Sequence, residues 1–295
     1  MERFGGPMNE TMVVTVGEVV WDCFPDRKVL GGAPLNVAYH LSSLGHDVLA
    51  VSRIGDDQLG RATLAKFREL NVSTAGVQID AELPTGQVTV SFDQDNEPKF
   101  DIVAPAAWDA IEPIKALSEI ADRPFSLVFG TLAQRDRRSR DAIVQLQDKA
   151  SYRFYDVNLR PPYTIRELVL NSLVKADTVK VNEKELCILG NWCGLAAEMD
   201  RKKIAGNLIK QFGLEALVVT EGAGGAWIIV EGNYYQADAE PITIADTVGA
   251  GDAFFAALIH GKIQNRPWAQ CLKEANRRGG YVASQAGATP KIPYS

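Results

Sequence analysis

The stretch Asp246-Thr-Val-Gly-Ala-Gly-Asp-Ala-Phe-Phe-Ala-Ala257 decides how the rest of the chain is read. Gly249 and Gly251 flank a small residue and lead straight into Asp252, and the apolar run 253–259 follows. A tight glycine turn that opens a helix leaves the first backbone N–H groups without intrahelical partners. With the helix dipole behind them, those groups form an anion site. A carboxylate at the same end works against phosphate holding as a sole task. It suits a group that takes the proton from a hydroxyl as that hydroxyl attacks the bound phosphate. The helix N-terminus is expected to lower the pKa of Asp252 and so make it a weak base, which suffices where bond breaking runs ahead of attack. No GxxxxGK[ST] occurs, so phosphoryl transfer here takes a route other than the P-loop.

Outward from this motif the chain alternates between two hydrophobic periods. Strands are predicted at 11–16, 48–54, 126–131, 152–157, 177–181, 215–220 and 225–230. One helix runs from Pro34 in its first turn to Leu44, with Gly45 as C-cap, and another is capped by Asp56 or Asp57 and carries Leu64, Phe67 and Leu70. Further helices are predicted at 135–149, 164–174, 182–189, 197–212, 250–262 and 267–285. Such alternation implies an α/β fold, a mostly parallel central sheet with helices on both faces, with ligands beyond the carboxyl ends of its strands. Residues 86–92 and 99–103 read as a β-hairpin around a turn rich in Asp, Asn and Glu. With strands contributed by 17–31 and 86–103, this is a small β-sheet lid on a single domain spanning 1–295, and 1–11 is a flexible tail.

Bulk properties narrow the function classes. The 295 residues are 46% hydrophobic and can bury a large core, while a formal net charge of −6 argues against a general nucleic-acid or membrane-surface binder. No apolar run approaches membrane-spanning length, and the N-terminal residues lack a signal-peptide pattern. Four cysteines without a CxxC pair and three scattered histidines fit reduced thiols and no zinc site. A cytoplasmic location is the expectation.

Six further segments carry polar groups or small residues at the ligand edge, each with a plainer alternative. Gly31-Gly-Ala-Pro-Leu-Asn36 lets a ligand approach backbone at Gly32 and offers the Asn36 amide from a helix start, or merely caps that helix. Asp22, after Trp21, can accept two sugar hydroxyls, or is a solvated turn acid. Asp156-Val-Asn158-Leu-Arg160-Pro-Pro ends a strand abruptly, and Arg160 either contacts phosphate or sugar oxygen or forms a surface ion pair. Asn182-Glu-Lys-Glu185 opens a helix, where Glu185 orients magnesium-bound water or simply serves the first turn. Thr220-Glu-Gly222-Ala-Gly-Gly225 is a nucleotide-contacting turn or an ordinary one, and the small-residue loop 284–290 flanks a purine or only ends a helix.

Jointly these segments resemble the PfkB, or ribokinase-like, family of carbohydrate kinases, over nearly the whole length from 17 to 293. Asp246 to Asp252 is similar to that family's C-terminal signature, and Gly31 to Asn36 with Gly45 and Ile54-Gly-Asp-Asp57 to its N-terminal one. The resemblance implies a ribokinase-like three-layer fold and ATP-dependent phosphorylation of a hydroxymethyl group. It implies Asp252 as catalytic base, with the amides of Gly249, Ala250 and Gly251 as anion hole. Asp22, Gly32 and Asn36 match sugar-binding positions, Asn182 and Glu185 the element tied to Mg²⁺ and phosphate, and Thr220 and Gly222 nucleotide contacts. A monovalent cation such as K⁺ is implied near Asp246 and Val248. Glu221 departs from the family pattern, in which an apolar residue often precedes the glycine.

Within the family, Gly17-Glu-Val-Val-Trp-Asp-Cys-Phe-Pro25, Asn36-Val-Ala-Tyr-His40 and Ala107-Trp-Asp109 look most like fructokinases, which implies conversion of D-fructose to fructose 6-phosphate. The rivals are 2-keto-3-deoxygluconate kinase, or another sugar kinase of the family, and a catalytically inactive sugar-binding scaffold. The hairpin, with Lys99 against Asp93, Asp95, Glu97 and Asp101, suits a neutral sugar better than a sugar acid. A nicotinamide dehydrogenase fails because no G-x-G-x-x-G follows the first strand. An exposed two-stranded ribbon is marginal alone, so a homodimer through the lid is expected.

Overall fold

The computed structural model describes residues 12–92, 98–113, 118, 120, 123–195 and 199–293, and their side chains except those of 90–100. The N-terminal tail 1–11 and the acidic hairpin tip 93–97 lie outside the described residues.

Thirteen strands are seen among the described residues: β1 (Met12–Val16), β2 (Val20–Cys23), β3 (Lys28–Gly31), β4 (Val48–Gly55), β5 (Val77–Asp80), β6 (Gly86–Phe92), β7 (Pro98–Ile102), β8 (Phe125–Gly130), β9 (Tyr152–Asp156), β10 (Thr178–Asn182), β11 (Ala216–Thr220), β12 (Ala226–Val230) and β13 (Asn233–Ala237). Helices α1 (Ala33–Ser43), α2 (Gln58–Glu69), α3 (Arg137–Lys149), α4 (Arg166–Lys175), α5 (Glu183–Trp192), α6 (Arg201–Phe212), α7 (Ala250–Ile263) and α8 (Trp268–Ala283) cover the sheet. Nine strands form one sheet in the order β13-β12-β11-β10-β9-β8-β1-β4-β5, parallel except for the antiparallel pairings of β12 with β11 and β13. The expected three-layer architecture is what forms.

The two-residue side-chain period of the strands builds two cores at once. Val14, Leu127, Phe129, Tyr155, Val179 and Leu217 point into one, against α3 to α6. Their neighbours Val13, Val128, Phe154 and Val218 point into the other, where Phe254, Phe255 and Leu258 of α7 and Leu272 of α8 meet them. The α7 helix buries every residue from Ala253 to Ile259, which is why its sequence is apolar all round instead of striped.

A second sheet, ordered β3-β2-β6-β7, stands apart. It contains both predicted lid contributors, and β2 pairs in parallel with β6 while the outer pairings are antiparallel. The family-like segment Ile54-Gly-Asp-Asp57 braces it. Asp57 caps α2 by accepting from Gly60 N at 2.7 Å, and it also accepts from Thr85 N and Thr85 Oγ1, both at 2.8 Å, immediately before β6.

Two strands were not anticipated. In β5 only four residues pair, with β4, too few to register as a period. In β13, Asn233-Tyr-Tyr-Gln-Ala is mostly exposed edge strand, joined to β12 through Glu231 and Gly232 at φ 49° and 78°, the left-handed pair of a tight hairpin.

Candidate active site

Residues from β1, β2, α1, β9, β10 and α7 converge at the carboxyl edge of the large sheet. Gly249 begins α7 as its N-cap at φ 76°, a conformation costly for any residue with a Cβ. A Cβ there would also collide with Ala288, so the turn requires glycine twice over. Of the three amides expected in the anion hole, that of Ala250 donates to Thr247 O at 3.3 Å, a long bond that an incoming phosphate oxygen can displace.

Asp252 lies in the first turn of α7, where Asn36 Nδ2 donates to its Oδ2 at 2.8 Å. The expectation of a lowered pKa is overturned: the carboxyl is pushed up to about 6. Burial is the main cause and the nearby Asp156 carboxylate the second, and these outweigh the Asn36 hydrogen bond and the cations Lys180 and Arg160. Desolvation at the meeting of two helices exceeds what a helix end returns. Asp252 is therefore a stronger base than a surface aspartate.

Lys180 went unnoticed in the sequence. It is the one charged side chain in the otherwise apolar interior of β10, 7% exposed, and donates to both oxygens of Asp156 at 2.9 Å. Its ammonium lies 3.6 Å from where a Gly251 Cβ would stand, against the first turn of α7. Although burial opposes the charge, the Asp156, Asp252 and Glu185 carboxylates raise its pKa, so the cation persists. A buried lysine in a central strand was the available signal, and Asp156 at the end of β9 its matching half.

Around Asp252 stand the residues expected to read an acceptor. Gly32 is the N-cap of α1 at φ 119°, and a Cβ on it would strike the backbone carbonyl of Glu18. Asn36 is buried, and its Oδ1 has no hydrogen-bond partner. Asp22 is half-buried in β2 with its pKa raised by burial against the opposing pull of Arg160. Arg160 itself is exposed, donates to Leu159 O at 3.1 Å, and sends its field towards Asp22, Glu18 and Asp252. Glu18, 5% exposed between β1 and β2, was not singled out in the sequence; burial raises its carboxyl to about 7.

The remaining predicted residues lie further along the same edge. Asn182 and Glu185 form a reciprocal capping box, Asn182 Oδ1 accepting from Glu185 N and Glu185 Oε2 from Asn182 N, both at 2.9 Å. Glu185 Oε1 also accepts from Leu159 N at 2.8 Å, tying α5 to the Asn158–Arg160 turn. Each oxygen keeps a further lone pair. Among the described residues no cluster of three or more His, Cys, Asp or Glu side chains could cage a metal. That donor set fits Mg²⁺ held chiefly by water and substrate phosphates, with Glu185 behind the water. Thr220 ends β11 beside Gly222, whose φ is 57°. The unusual Glu221 accepts from Trp227 Nε1 at 2.8 Å, so its role is to hold the turn. Asp246 accepts from Val248 N at 3.0 Å and Gly287 N at 3.1 Å, linking the loop before α7 to the one after α8. Val248 is exposed.

The fold has counterparts among known proteins. The pfkB family carbohydrate kinase model matches residues 8–294, and the chain belongs to that family. A fructokinase of Klebsiella pneumoniae is 28% identical, over 95% of this chain and 95% of its own. The aminoimidazole riboside kinase of Salmonella typhimurium is 27% identical, over 97% and 93% respectively. A Vibrio cholerae fructokinase double mutant, solved with fructose, ADP and potassium ion bound, superposes with a TM-score of 0.80 at 26% identity, over 95% of this chain and 94% of the other. The chain is thus a carbohydrate kinase of the pfkB family. No helix among the described residues is long and apolar enough to cross a membrane.

Proposed function

We propose that the protein transfers the γ-phosphoryl group of ATP to the primary hydroxyl of a neutral ketose, converting D-fructose to fructose 6-phosphate. One observation carries the reading: Asp252, held by Asn36 at the mouth of α7, is a base raised to about 6 at the edge of an anion-binding turn. The sugar 6-hydroxyl would lie between Asp252 and the γ-phosphorus. As the new O–P bond forms and the bond to ADP breaks, the hydroxyl proton passes to an Asp252 oxygen. The amides of Gly249, Ala250 and Gly251 and the Lys180 ammonium hold the negative charge of the moving phosphoryl group. Mg²⁺, when bound, neutralises charge on the nucleotide phosphates. Asn182 and Glu185 would hold its water shell, and Thr220 and Gly222 the nucleotide. Asp246 and the Val248 backbone would flank K⁺, an ion bound in the fructokinase relative.

A neutral acceptor is favoured because the pocket is rich in acid. Glu18, Asp22 and Asp252 stand around it, Lys180 is paired with Asp156 on the phosphoryl side at the first turn of α7, and Arg160 is the cation left among the described residues for a substrate carboxylate. This argues against 2-keto-3-deoxygluconate as substrate. The riboside kinase relative keeps neutral ribosides in the comparison. ADP release measured by a coupled assay against fructose, ribose, aminoimidazole riboside and 2-keto-3-deoxygluconate is the test. Highest kcat/KM with the sugar acid would overturn the neutral-sugar reading, and no sugar-dependent turnover at all would favour an inactive sugar-binding scaffold. A cytoplasmic location and a homodimer paired through the lid sheet complete the proposal; light scattering that shows a monomer at assay concentration removes the dimer.

A further inference from the structure

Glu18 is a buried acid that the mechanism leaves unused. Its Oε2 is shielded from solvent and has no hydrogen-bond partner, although leaving a buried acceptor unmet is costly. Such an atom in a folded protein calls for a reason. Glu18 lines a cavity of about 20 Å³ between the first turn of α1, at Ala33 and Pro34, and the end of β9, at Asp156 and Asn158. That space admits one water or one hydroxyl group. Its α1 wall, Ala33, Pro34 and Val37, flanks Gly32 and Asn36 in the chain: Gly32 packs on the Glu18 carbonyl, and Asn36 carries another unpartnered acceptor, Oδ1. The Asp252 and Asp156 carboxylates both act on Glu18, which places it near the base. Two unmet acceptors close to the base suit a ligand that brings several O–H donors.

We propose that Glu18 is a specificity-determining residue of the acceptor pocket, its Oε2 accepting a hydrogen bond from a hydroxyl of the neutral sugar other than the one phosphorylated. The proposal rests on the sugar-kinase reading and adds a residue to it. A carboxyl kept for folding alone would be bonded within the protein; one kept for a ligand stays open until the ligand arrives.

The test compares wild type with Glu18→Leu, which removes the acceptor at similar volume, and Glu18→Gln, which keeps the shape should the leucine variant fail to fold. Substrates are D-fructose and the monodeoxyfructoses that retain the 6-hydroxyl. Glu18→Leu is expected to keep or raise the melting temperature, to raise KM for fructose about 10–100-fold, and to leave KM for ATP within about threefold. One deoxy sugar, penalised by wild type, should lose that penalty in the variant, because the bond is already gone. Glu18→Gln should shift fructose KM in the same direction by less. Unchanged fructose KM and an unchanged deoxy series in both variants would overturn the role of Glu18 while leaving the kinase reading intact. Wild type that phosphorylates no sugar would overturn that reading, and this one with it.

Discussion

Asn36 Nδ2 donates to Asp252 Oδ2 at 2.8 Å, joining the first turns of two helices 216 positions apart in the chain. The bond fixes which carboxylate oxygen is occupied and leaves the other for a hydroxyl proton. It also lowers the pKa of Asp252, against the larger upward push of burial.

The Asp252→Asn variant should therefore lose activity and gain stability. Its kcat is expected to fall about 100-fold or more, with sugar KM little changed. A carboxyl raised to about 6 in the folded state binds its proton more tightly there than when unfolded. Its stabilising contribution is complete below the unfolded pKa and is lost as pH rises through about 6. Above that, charged Asp252 costs the fold about 1–3 kcal/mol, which asparagine removes. Thermal denaturation at pH 8 should show a higher melting temperature for the variant, and the gap should close in acid. Near-wild-type turnover would dismiss Asp252 as the base.

In the pH profile, kcat/KM of the wild type should fall as pH drops through about 6, because only the ionised Asp252 accepts a proton. The charged groups that set this limb are Asp156, Lys180 and Arg160, with Glu18 across the pocket. Asn36→Ala removes a bond to the ionised form and should move the limb to higher pH. A limb near the ordinary aspartate range would mean that the site is wetter than its burial implies.

The sequence made the scaffold legible because strand and helix periods alternate cleanly and because Gly249, Gly251 and Pro34 punctuate the helix starts. It also exposed Asp252, Asn36 and Gly32, which sit at those starts. What it hid depends on tertiary contact. That Lys180 meets Asp156 follows only from the parallel register that sets β10 beside β9. The sign of the Asp252 shift was misjudged because a helix end is visible in one sequence and burial between two helices is not. Glu18 lay within a quoted motif, yet its empty hydrogen-bonding position exists only in three dimensions.

Lys180→Met should be strongly destabilising. It leaves Asp156 as a buried carboxylate without its cation, close to Asp252 and Glu185, and breaking such a pair by one partner costs about 3–5 kcal/mol. Removing both charges, as Lys180→Met with Asp156→Asn, should recover much of that loss. Chemical denaturation of the wild type, the single variant and the double variant checks it. Equal destabilisation in both variants would mean that packing, not charge, dominates at Lys180.

The two glycines of the anion turn should fail in different ways when given a methyl group. At Gly249 the φ of 76° is costly for alanine and the Cβ would collide with Ala288, so Gly249→Ala should lower both melting temperature and activity. At Gly251 the nearest atom to a new Cβ is Lys180 Nζ at 3.6 Å, an ordinary contact, and alanine is a better helix former than glycine. Gly251→Ala should therefore hold or raise the melting temperature. Its kcat should nonetheless fall about tenfold or more, since the methyl crowds the amide against which phosphate oxygens close. A Gly251→Ala enzyme with full activity would place the phosphoryl group away from this turn and leave Gly249 with a purely structural role.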